Sequence, residues 1–177
     1  MTDRIVGMGA APMRVQDVIR IDAPIVPGQE LGVRLLTPIS ALEPLLRRAM
    51  VDHIGISAGT TAASDGWFRL SSPFTAQYNL GVVQITVDVR TGLIVQLVAL
   101  PGYQGTLFNA VAPGISVSDA QRMEPRIYYD EGSEFLWVRG ADGVKLFLDV
   151  DDPDVTDIAG LAIAGIAVFA DGYRFCW

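Results

Sequence analysis

The chain has 177 residues, half of them hydrophobic and 19% charged, which excludes a disordered protein and supplies enough apolar material for a filled core. Twenty acidic residues against thirteen basic ones leave a net charge of −7, and Lys145 is the single lysine. Direct binding of DNA or RNA is therefore disfavoured, and nucleic acid is not an expected partner, whereas a basic protein would be steered towards this charge.

The first residues, "MTDRIVGMGAAPMR", set an acid and a base ahead of a short apolar patch, with no long apolar region behind it. That pattern predicts a cytoplasmic location rather than export. Gly7-Met8-Gly9 has the form that opens a dinucleotide fingerprint, but Pro12 stands where the third glycine belongs, so no cofactor is expected. Ser40-Ala41-Leu42-Glu43 is a capping box and predicts a helix start. Leu42, Leu45, Leu46, Ala49 and Met50 would form its apolar stripe, with Pro44 tolerated in the first turn.

Gly55-Ile56-Ser57-Ala58-Gly59 matches the nucleophile elbow of serine hydrolases. The only histidine, His53, precedes that serine instead of following it, and "TTAASDG" makes a poor helix after the turn. No catalytic residue is assigned, and a non-enzymatic protein is expected.

Strands are predicted over Trp67 to Leu70, Phe74 to Leu80, Val83 to Arg90 and Leu93 to Leu100. In the third, Val83, Ile85, Val87 and Val89 point one way and Gln84, Thr86, Asp88 and Arg90 the other, which predicts a sheet with one solvated face. Thr91-Gly92 reads as a tight hairpin turn.

The order then repeats. Ser118-Asp119-Ala120-Gln121 is a second capping box, whose helix must end near Pro125. Strands follow at Arg126 to Tyr129, Phe135 to Val138, Val144 to Val150 and Leu161 to Ala170, with turns at Glu131-Gly132 and Asp171-Gly172, the latter leading into Tyr173 to Cys176. The Leu161 to Ala170 run is about half the ~20 residues needed to cross a bilayer, so it predicts a buried strand and no membrane partner. Cys176 is the only cysteine, which precludes an intramolecular disulfide and a thiolate metal cage. The expectation is an α+β fold in one domain spanning 1–177. Its two similar halves, about 24–103 and 104–177, would each pack a short helix on an antiparallel meander of three or four strands.

Two stretches are candidates for binding. "FLDVDDPDVTD" carries Asp149, Asp151, Asp152, Asp154 and Asp157. As a calcium loop counted from Asp149 it fails, since Pro153 holds position five, Asp154 replaces the glycine at six and Gly160 replaces the glutamate at twelve, so no metal is assigned. Tyr128, Tyr129, Asp130, Glu131 and Glu134, with Trp137 nearby, combine aromatic area and negative charge around a hairpin.

"IVPGQELGVRLL", "ISALEPLL", "VDVRTGLIVQLVALPGYQGTLFNAVAPGISVSDA", "GVKLFLDVDD" and "IAGIAVF" together resemble a broad group of small cytosolic bacterial proteins. Their shared pattern is a Pro-Gly-x-x-Leu/Ile-Gly entry, a strand ending at Tyr-x-Gly, a Gly-Ile/Thr-Ser helix start and a terminal Ile-x-Val-Phe strand. Several are regarded as immunity proteins of interbacterial toxin systems, and the tandem layout is similar to the beta-lactamase inhibitor protein fold. That inhibitor family is secreted and disulfide-bonded, which a single-cysteine chain cannot copy. The resemblance implies a cytosolic inhibitor of a cognate basic toxin domain, with Asp149, Asp151, Asp152, Asp154 and the Tyr128 to Glu134 hairpin as the docking surface. A structural or regulatory interaction subunit of a larger assembly is the alternative, and self-association is left open.

Overall fold

The alternating runs of the sequence fold into strands whose ladders, among the described residues, are antiparallel. In the computed structural model, residues 19–42, 67–150 and 157–173 are described, with backbone alone for 67–72. A small ribbon, β1 (Ile25–Val26) and β2 (Glu30–Leu31), precedes a 3-10 turn at Ile39–Leu42. The main sheet holds β3 (Trp67–Ser72), β4 (Thr75–Asn79), β5 (Val83–Asp88), β6 (Leu93–Ala99), β7 (Ile127–Asp130), β8 (Phe135–Val138), β9 (Val144–Leu148) and β10 (Ile163–Phe169), with helix α1 (Val117–Met123) between β6 and β7. Strand ends fall within two residues of the predicted ones. The class is α+β, dominated by an antiparallel sheet.

Strand order is β3-β4-β5-β6-β10-β9-β8-β7. Two four-stranded meanders thus meet at their last strands, along a seam in which Ile166 pairs with Ala99 and Val168 with Leu97. One face of the sheet carries Ile85, Leu97, Leu136, Leu146 and Ile166 into a core covered by Ile19, Leu31, Leu107, Val117 and Ile158. Tyr103 fastens the covering segment: its hydroxyl donates to the carbonyls of Ala23 at 3.0 Å and Arg20 at 3.2 Å. Burial pushes that phenol up to about 12. Gly105 completes the closure, because a Cβ there would stand 1.8 Å from the Ala23 carbonyl oxygen. The Tyr-x-Gly signature is therefore a packing device.

Several expectations are corrected. The sheet does not have one wet face: Thr86 and Lys145 on the second face are fully buried, and Gln77 and Gln96 nearly so. Alternation reports two faces, not which of them meets water. Thr86 Oγ1 and Gln96 Oε1, on register-paired residues, have no hydrogen-bond partner. Val89 lies beyond the end of β5 and is exposed.

Helix α1 is capped by Ser116, not Ser118. The Ser116 backbone is extended and its Oγ accepts the Asp119 N–H at 3.1 Å, which lets Val117 and Ala120 bury in the first turn. The hairpin turns are also longer than predicted. Asp88 O accepts from Thr91 N and Gly92 N, and Asp130 O accepts from Ser133 N and Glu134 N, so four residues separate each closing pair. The apolar stripe beyond Leu42, the Gly55 to Gly59 motif with His53, the Gly7 to Pro12 segment and the strand reaching Cys176 lie outside the described residues.

Candidate functional site

The β7–β8 hairpin forms one margin of the sheet, and period-two alternation divides its side chains. Ile127 and Tyr129 pack towards the core, so Tyr128 and Asp130 point to the second face. The two adjacent tyrosines expected on one binding surface are thereby separated, and Tyr129 serves the core. Asp130 is engaged within the hairpin: Ser133 Oγ donates to its Oδ2 at 2.6 Å, and Trp137 Nε1 donates to Ser133 Oγ at 2.8 Å. Glu131 and Glu134 are exposed at the tip. Glu134 has φ of 59°, a left-handed conformation uncommon for a residue with a side chain.

In β8 and β9, Leu136 pairs with Leu146 and Trp137 with Lys145. Extended past the strand ends, this register sets the hairpin tip across from Asp149, which is exposed. The tip acids and Asp149 consequently share one end of the sheet. Asp151, Asp152 and Asp154 lie outside the described residues.

Helix α1 closes part of the β7 margin. Arg139 N donates to Arg126 O, so Ile127 turns its peptide groups outward. There its N–H reaches Glu124 O at 3.0 Å and its carbonyl accepts from Gln121 Nε2 at 3.3 Å. Ile127 is thus not available to pair with an added strand.

At the opposite end of the hairpin lies a pocket of about 320 Å³. Its walls include Tyr128, Trp137 and Phe169, and Arg139, Asp142 and Asp171 stand around it. Trp137 meets Phe135 and Phe169 edge to face, each with centroids 6.3 Å apart. The Arg139 guanidinium lies 5.1 Å from the Tyr128 ring centroid, while Lys145 Nζ lies 5.0 Å from that of Phe135 and 5.7 Å from that of Phe169. Sequence reasoning missed Arg139, Asp142, Phe169 and Asp171. The sequence marked the Asp171-Gly172 turn but not the one at Asp142-Gly143, and only the β9–β10 pairing, with Phe169 N donating to Gly143 O at 3.0 Å, makes them neighbours.

Farther along this end, buried Asp88 accepts from Arg90 Nη2 at 2.6 Å, Arg90 Nε at 3.0 Å, the Arg90 backbone N–H at 2.9 Å and the Tyr173 hydroxyl at 2.7 Å. Hydrogen bonds from the side chains of Arg90 and then Tyr173 hold its carboxyl well below the usual carboxylate range, outweighing desolvation. The same bonds push the Arg90 guanidinium and the Tyr173 phenol up. Arg90 also lies 4.9 Å from the Phe74 ring centroid. Among the described residues, no three His, Cys, Asp or Glu side chains converge as metal ligands.

No protein family and no curated protein matches the chain. Among solved structures, it is similar to the uncharacterized protein yfeY from Escherichia coli, with a TM-score of 0.50 and 13% identity over 81% of this chain and 98% of that one. The likeness is one of fold.

Proposed function

We propose that the chain is a non-enzymatic immunity protein, acting in the cytoplasm, that binds a cognate basic toxin domain and blocks its working surface. The reading is carried by one observation: Glu131 and Glu134 at the hairpin tip share an end of the sheet with Asp149, although the chain runs through β8 and β9 between them. The net charge of −7 would speed encounter with a basic surface, and carboxylates there would occupy the path of a nuclease toxin's phosphates. Asp151, Asp152 and Asp154 would extend the same acidic surface. The paired meanders belong to the proposal as a duplicated helix-plus-meander unit.

Capture with tagged protein tests this, followed by titration of the purified partner against Glu131→Lys/Glu134→Lys. A basic partner that binds at least about tenfold more weakly to the variant, with a shallower salt dependence, is expected. Unchanged affinity for a variant with native circular dichroism overturns the reading.

A second reading, a structural or regulatory subunit, is favoured by the far end of the sheet. Phe74 and Val89, 54% and 46% exposed, lie side by side there, with Val89 N donating to Phe74 O at 2.9 Å. Sedimentation showing self-association abolished by Phe74→Ser would support it.

A further inference from the structure

We infer that the pocket bounded by Tyr128, Trp137 and Phe169 receives the guanidinium of an arginine side chain from the basic partner. The inference rests on the partner reading above. It concerns the pocket end of the hairpin and is independent of the acidic tip.

Size is the first argument. About 320 Å³ is at the small end of ligand pockets, room for one long side chain rather than a dinucleotide or a folded segment. Wall chemistry is the second. Three aromatic rings line the pocket, aromatic rings attract cations over their faces, and the chain already uses this cluster in that way: the Arg139 guanidinium lies 5.1 Å from the centre of Tyr128, and Lys145 Nζ lies 5.0 Å and 5.7 Å from the centres of Phe135 and Phe169.

Charge at the mouth is the third. Asp142 and Asp171 are exposed, and neither carboxylate forms an ion pair or hydrogen bond with another described residue. Lys145 is fully buried and does not line the pocket, so among the lining residues two open carboxylates stand against the Arg139 guanidinium, which favours a cation over an anion. Both are carried on Asp-Gly turns that the β9–β10 pairing holds together, so their spacing is set before a partner arrives. Arginine fits better than lysine because its planar, weakly hydrated head can stack on a ring while forking towards a carboxylate. Such an anchored arginine has the character of a binding hot spot.

The test needs no partner. Nitrogen-15-labelled protein is titrated with N-acetyl-arginine N-methylamide and, in parallel, with the uncharged citrulline analogue, following the Trp137 indole N–H and the amides of Gly140, Gly143 and Gly172. Saturable shifts with arginine alone, weakened about tenfold in Asp142→Asn/Asp171→Asn, are expected. Equal responses to both compounds, or none at millimolar concentration, overturn the inference while leaving the acidic tip untouched. Arginine binding in a protein that captures no basic partner would instead overturn the partner reading and, with it, this occupant.

Discussion

The Tyr173 hydroxyl reaches past β6 to donate to Asp88 Oδ2 at 2.7 Å, tying the end of the second meander to the end of β5 across 85 residues of chain. Because Asp88 is depressed in the folded state, the stability it contributes is present above the unfolded carboxylate range, near about 4, and is lost as pH falls towards and through the lowered folded value. Asp88→Asn is expected to be less stable than the parent in urea at neutral pH, with the gap closing as pH drops below about 4. A gap independent of pH would show that the carboxylate's charge is not what matters.

Glu134 and Gly92 occupy equivalent places in their turns, each donating its N–H to an aspartate carbonyl four residues earlier, yet only Gly92 is suited to positive φ. Glu134→Gly should therefore raise stability by about 0.5–1 kcal/mol, whereas Glu134→Ala should not. Thermal melts of the two variants decide it.

Tyr103→Phe leaves the Ala23 carbonyl without its hydroxyl donor, while the Arg20 carbonyl keeps the Ala23 N–H, and is expected to cost about 1–2 kcal/mol. Gly105→Ala should cost more, since its methyl cannot fit without moving the Ala23 backbone. Hydrogen exchange in residues 19–31 should rise in both; protection unchanged from the parent would mean this closure is not what holds the segment.

Thr86→Val removes an unpartnered buried hydroxyl at nearly constant shape, and a gain of about 1 kcal/mol is expected in urea unfolding. A loss instead would mean that the hydroxyl finds a hydrogen-bond partner in solution.

Local chemistry made the strands readable: Val83 to Val87 alternate cleanly, Val144 to Leu148 do so apart from Phe147, and their turn residues punctuate the runs. What the sequence hid was the relation between strands. The core role of Tyr129 follows from the phase of a four-residue strand, and Thr86 and Lys145 look like solvent-facing residues until the second face is known to be buried. The cap at Ser116 competed with a better-looking box two residues later, and the burial of Val117 decided between them. The pocket was least legible, because Asp142 and Asp171 meet only through strand order, which no local pattern encodes.

The burial of Lys145 gives the fold an internal reporter. No other lysine exists in the chain, so an acylating reagent directed at side-chain amines has no exposed lysine target on the folded protein. Its reaction at Lys145 requires the second face of the sheet to open over β9. The rate of that single modification would then time the opening of that face, and a bound partner that holds it closed would be detected as a slower clock.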